Sequence, residues 1–153
     1  PLCFLMLRRA PRSSRFPYST GFGSKLKNMA TYNSFTDLPV WIDAVDFAAD
    51  IYKFCEAGRL RTDYRMKDQL RAAASSVPSN IAEGFEYRDR KNFARFLVYA
   101  KGSSGEVFTQ LTILLKAGMI EDNDYINFSG RARELGKKIG GLIRYLKTST
   151  LQE

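Results

Sequence analysis

Tyr125, Phe128, Ala132, Leu135, Ile139, Leu142 and Leu146 recur at intervals of three and four without a break. An apolar residue every 3.5 positions commits a segment to a helix that packs lengthwise on other helices, as in coiled coils and bundles. A strand would need a period of two. One such helix cannot bury its own stripe, so its partners must be found elsewhere in the chain. Asp122 or Asn123 opens the segment, and Lys137, Lys138, Arg144 and Lys147 towards its end suit the helix dipole.

Three further amphipathic segments supply partners. In the first, Asp37 reads as the N-cap and Pro39 occupies the first turn, where a missing N–H costs nothing. Val40, Ala44, Phe47, Ala48, Ile51 and Cys55 form its stripe and Gly58 its stop, while Asp43, Asp46 and Asp50 share a face that reads as solvated. The second begins near Asp63, carries Tyr64, Met66, Leu70, Ala73, Ala74, Val77 and Ile81, and ends at Gly84. Pro78 lies inside it and must remove one helical hydrogen bond, so a kink or local unwinding is expected, with Ser75 and Ser76 offering hydroxyls to the freed carbonyls.

The third segment runs from near Asp89 to Ala117, with Gly118 as its stop and Phe93, Phe96, Leu97, Ala100, Ser104, Val107, Phe108, Leu111, Leu114 and Leu115 as its stripe. Gly102 and Gly105 sit at its centre, and a glycine costs a helix about 1 kcal/mol relative to alanine. Close approach of another backbone, the kinked second helix, is the expected compensation. The glycines lack the strand–loop–helix setting of a phosphate loop. Short connections favour antiparallel neighbours, so the fold expected is an all-α, up-down-up-down four-helix bundle.

The chain has no histidine, which removes the commonest general base and metal ligand, and the usual partner of a Ser or Cys nucleophile. Cys3 and Cys55 make neither a metal spacing nor a disulfide framework, so no catalytic residue, metal or cofactor is expected. This cysteine usage points to a reducing, cytoplasmic compartment. No apolar stretch approaches the ~20 residues that would span a bilayer.

The net charge of +8 suggests a nucleic-acid binder, but it is unevenly spread. Of 24 Lys and Arg, six lie in residues 1–28, which contain no acid; the other 18 face 16 Asp and Glu. Leu2–Leu7 precedes Arg8 and Arg9, the reverse of a secretory signal. Residues 1–28 are therefore expected to be a disordered leader, either upstream of a natural start at Met29 or a targeting segment, and residues 29–153 to form the bundle.

The runs Asp68-Gln69-Leu70-Arg71-Ala72-Ala73, Val77-Pro78-Ser79-Asn80-Ile81-Ala82-Glu83-Gly84, Phe93-Ala94-Arg95-Phe96-Leu97 and Ala100-Lys101-Gly102-Ser103-Ser104-Gly105-Glu106 closely resemble the four-helix-bundle family of 23S rRNA intervening-sequence, or S23-type, proteins. Trp41, Tyr52 and the heptad of the last helix extend the resemblance, which begins after Met29. It implies an antiparallel bundle that assembles as a ring-like homopentamer, with no established enzymatic activity. Some genes of that family lie inside 23S rRNA genes. Accessory proteins of diversity-generating retroelements look like distant relatives that bind nucleic acid and a reverse transcriptase. An RNA- or DNA-binding homo-oligomer is thus the leading reading, and an adaptor for a nucleic-acid enzyme the alternative.

Between residues 59 and 101, Arg59, Arg61, Arg65, Lys67, Arg71, Arg88, Arg90, Lys91, Arg95 and Lys101 oppose only Asp63, Asp68, Glu83, Glu86 and Asp89. The first nine are the candidate nucleic-acid contacts. They would either track a phosphate backbone or meet the Asp43, Asp46 and Asp50 stripe of a neighbouring subunit. Pro78, Asn80, Glu83, Gly84, Gly102 and Gly105 are read as structural, with Asn80 and Glu83 serving helical groups broken by Pro78 or reaching Ser103. Arg71 is a candidate ion-pair partner of Glu106.

Overall fold

The computed structural model describes residues 32–149, and the leader expected over residues 1–28 lies outside them. The described residues are all-α, with no strand: α1 (Pro39–Phe54), α2 (Tyr64–Glu86), α3 (Arg90–Lys116) and α4 (Asp122–Ser149), plus 3-10 turns at Phe35–Asp37 and Arg59–Thr62. Each helix packs on its neighbours in sequence, and α1 closes the ring against α4. Paired positions run in opposite directions. Ser76 meets Ser103 and Gly84 meets Phe96 between α2 and α3, while Asp43 meets Lys138 and Asp50 meets Arg131 between α1 and α4.

The heptad of α4 is the inner face of that helix: Phe128, Ala132, Leu135, Ile139, Leu142 and Leu146 are buried, and Tyr125 is half-buried. The stripe of α1 is buried throughout, and that of α3 is buried except for Phe108 and Leu115, which are half-buried against the core. That of α2 differs at its start. Tyr64 is 71% exposed, whereas Leu60 in the preceding 3-10 turn is buried.

The caps follow local chemistry with two exceptions. Asp63 and Asp89 accept hydrogen bonds from the Met66 and Asn92 N–H groups. Gly118, at φ +66°, closes α3 with Met119 N–H donating to the Leu114 carbonyl and Gly118 N–H to that of Leu115, a Schellman arrangement. Asp37, however, sits in a 3-10 turn capped by Ser34, and Leu38 occupies the N-cap of α1 without a side-chain bond. Gly58 lies beyond the end of α1, which stops at Phe54.

Pro78 is buried inside an α2 that continues across it. The adjoining carbonyls take side-chain donors: Ser75 Oγ donates to Ala72 O, Ser79 Oγ to Ser75 O, and Asn80 Nδ2 to Ser76 O at 2.7 Å. Ser75 thus donates to Ala72 O and not to Ala74 O, the carbonyl that Pro78 deprives of its N–H. Ser76 Oγ accepts from Asn80 and Ser103, so the donors flanking the proline are Ser79 and Asn80 in place of the expected Ser75 and Ser76 pair. Gly84 does not stop α2. It lies buried two residues before the helix end, where Arg88, at φ +54°, makes the turn.

Candidate nucleic-acid interface

The nine candidate cations fall at opposite ends of the bundle. Arg59, Arg61, Arg65, Lys67 and Arg71 gather where α1 passes into α2, and Arg88, Arg90, Lys91 and Arg95 where α2 passes into α3. Arg65, Lys67 and Arg71 lie on α2 itself, and the 15 residues from Arg71 to the helix end at Glu86 separate the groups by about 22 Å at 1.5 Å per residue.

Within each group the environments differ. Lys67 is buried, 3.6 Å from the Glu56 carboxylate and 5.2 Å from the Tyr64 ring centroid. Arg71 bonds to Glu56 and to Tyr52 O and lies over the Tyr52 ring, so its ion-pair partner is Glu56 and not Glu106. The hydrogen bond from Arg71 holds the Glu56 carboxyl below its usual range and raises the guanidinium. Arg59 donates to Gly118 O and ties the two connections at one end together. Arg88 donates to Asn33 O at the other end. Arg61, Arg65, Arg90, Lys91 and Arg95 are exposed and make no ion pair among the described residues.

The acidic face of α1 is not simply solvated. Lys138 Nζ lies 2.7 Å from Asp43 and Arg131 Nη1 3.0 Å from Asp50, both across the α1–α4 seam. Burial pushes the Asp50 carboxyl up, but hydrogen bonds from Lys53 and Arg131 outweigh it and hold the group below its usual range. These pairs flank a groove of about 220 Å³ lined by Asp43, Asp46, Phe47, Arg131, Glu134, Leu135 and Lys138. Among the described residues no group of His, Cys, Asp and Glu is placed to hold a metal ion.

Two structural readings change. Gly102 and Gly105 are exposed, and a Cβ at either would meet nothing within 4 Å among the described residues, so no described backbone of this subunit approaches them. The close approach between α2 and α3 is made at Gly84, where a Cβ would lie 2.6 Å from that of Phe96. Ser103 Oγ does reach α2, bonding to Ser76 Oγ at 3.1 Å, and Asn80 Nδ2 shares that hydroxyl. Glu83 is exposed and takes no part.

A second set of cations was not marked as an interface by the sequence. Lys101 on α3 and Arg144 on α4 lie beside Gly140 at the seam between those helices, Arg133 of α4 lies over Phe108 of α3, and all three are exposed, as are Lys137 and Lys147 on α4. The i, i+4 spacing of Arg133 and Lys137, and the i+7 step to Arg144, place three of them on one outer face. That periodicity was the available signal.

A family model described as 23S rRNA-intervening sequence protein matches residues 36–141. Among solved structures, the chain is similar to a protein of unknown function from the S23 ribosomal protein family of Bacteroides thetaiotaomicron. The TM-score is 0.63 at 23% sequence identity, over 69% of this chain and 95% of that one. No curated protein shows a significant match.

Proposed function

The chain belongs to the 23S rRNA-intervening sequence protein family, and from that premise we propose a non-enzymatic, homo-oligomeric bundle, acting in the cytoplasm, that binds RNA or DNA through backbone phosphates. The observation that carries the reading is an asymmetry in pairing. The Asp43 and Asp50 carboxylates, which would have received a neighbour's arginines, are already held by Lys138 and Arg131 of the same chain. Arg61, Arg65, Arg90, Lys91 and Arg95 are exposed with no carboxylate partner among the described residues. Exposed guanidinium and ammonium groups that form no ion pair within the subunit favour a polyanion, whose condensed counterions are released on binding.

The up-down-up-down bundle assembles as a homopentamer, and the ring repeats each basic end five times. The uncharged outer ridge of α3, with exposed Val98, Gly102, Gly105, Thr109 and Ile113, supports assembly through that helix.

Fluorescence anisotropy with a labelled structured RNA across a salt series tests the reading. Binding at ~50 mM salt that weakens steeply as salt rises is expected. No binding there, or binding indifferent to salt, would overturn it. Light scattering gives the mass of the assembly, and a monomer at micromolar concentration would remove the oligomer.

A further inference from the structure

Gly136 and Gly140, one turn apart on α4, face α3. A Cβ at Gly136 would meet Ser104 Oγ at 3.6 Å, an ordinary contact. At Gly140 the position of a Cβ is covered from two sides, by Lys101 Nζ at 3.7 Å and Arg144 Nη1 at 3.9 Å. Two cationic heads, one from each helix, therefore lie within 4 Å of a single point. Both residues are exposed, and neither makes an ion pair with a carboxylate among the described residues.

Like charges on long exposed side chains lose nothing by swinging apart, unless an anion joins them. Charge-assisted N–H···O contacts of about 2.8 Å let one phosphate accept from an ammonium and a guanidinium at once. The glycine is what leaves room for the pair: a larger side chain at position 140 would fill the space where Lys101 crosses to α4. Lys137 and Arg133 continue the line on α4, and the run from Arg133 to Arg144 is about 16 Å long at 1.5 Å per residue. Arg133 stacks its guanidinium 4.4 Å from the Phe108 ring centroid, which fixes its direction.

We infer that the α3–α4 seam is a phosphodiester-binding strip, in which Lys101 and Arg144 clasp one phosphate over Gly140 while Lys137 and Arg133 meet the strand beyond it. The inference deepens the nucleic-acid reading and rests on it, but it moves the contact from the bundle ends to the seam. It concerns backbone phosphates and involves no base recognition.

The test compares the full chain with Lys101→Gln/Arg144→Gln and with Lys53→Gln/Lys116→Gln, which removes the same charge away from the seam. Labelled RNA is followed by anisotropy across a salt series, and inorganic tripolyphosphate by calorimetry. The seam variant is expected to lose about tenfold or more in RNA affinity and to lower the salt slope by about 2, with the control near the parent. Tripolyphosphate heat should be lost in the seam variant alone. RNA binding by the parent with equal affinity and slope in both variants would overturn the strip and leave the broader function standing. If the parent binds no RNA, that function fails. Tripolyphosphate heat confined to chains with an intact seam would then support it as an anion site, and no such heat would overturn the strip as well.

Discussion

The Cβ atom that alanine would place at Gly84 falls 2.6 Å from the Cβ of Phe96, with the Phe93 ring at 3.1 Å. Neither neighbour is the free end of a flexible chain, since Phe96 Cβ is fixed to the α3 backbone. Gly84→Ala therefore forces α2 and α3 apart. Overpacking of this kind costs about 1–3 kcal/mol, more than the roughly 1 kcal/mol alanine returns through helix propensity. Urea denaturation should show a net loss of stability; a gain would mean that the helices separate freely.

Gly102 and Gly105 predict the opposite sign. Both are exposed mid-helix with nothing within 4 Å of a Cβ. Gly102→Ala and Gly105→Ala should each stabilise the subunit by about 0.5–1 kcal/mol. Gly102→Leu/Gly105→Leu should keep its helical circular dichroism, while light scattering reports a smaller assembly if α3 carries the contact proposed. An unchanged mass would move that contact elsewhere.

These glycines show what a sequence carries and what it does not. A helix-interior glycine announces a local cost, but what faces it depends on the partner helix and its register. The stripe of α4 was legible because burial follows from its own period, as Leu135 and Ile139 show. The partners of Asp43 and Asp50 were not, since Lys138 and Arg131 lie on the last helix and only the packed register joins them. The same holds for the candidate interface. A run of arginines in sequence became two groups at opposite ends, while Lys101 and Arg144, far apart in sequence, converge over one glycine. Tyr64 has the spacing of a core residue yet is 71% exposed, while Leu60 of the preceding 3-10 turn is buried, and the helix period carries no sign of either.

Ser104 gives a smaller test of the α3–α4 contact. Its buried hydroxyl donates to the Ala132 carbonyl at 2.6 Å, and Gly136 lies beside it. Ser104→Ala removes the donor with little change in volume, so a loss of about 1 kcal/mol is expected by thermal or urea unfolding. No loss would mean that the hydroxyl only fills space.

Lys67 separates structural from functional cations. It is buried, with its ammonium 3.6 Å from Glu56 and 3.5 Å from Arg61 O. Removing one partner of an ion pair is costly where it leaves a buried charge behind, but Glu56 is exposed and keeps Arg71, so Lys67→Met leaves none. Lys67→Met should therefore leave Tm unchanged or higher and leave RNA affinity and its salt slope untouched. A reduced slope would place Lys67 on the phosphate path.

Acid should loosen the fold in a defined direction. Asp50 and Glu56 both titrate below their usual range in the folded chain, where Lys53 with Arg131, and Arg71, hold them charged. The unfolded chain then binds protons more readily, so their contribution is complete above the ordinary carboxylate range. It is lost as pH falls through the lower folded values. Tm should stay level from about pH 7 to 5 and then drop as pH falls below about 4. Asp50→Asn removes one of the two titrating pairs, so its curve should start lower at neutral pH and fall less steeply in acid. Parallel curves for the parent and Asp50→Asn would show that the Arg131 pair across the α1–α4 seam contributes nothing to acid sensitivity.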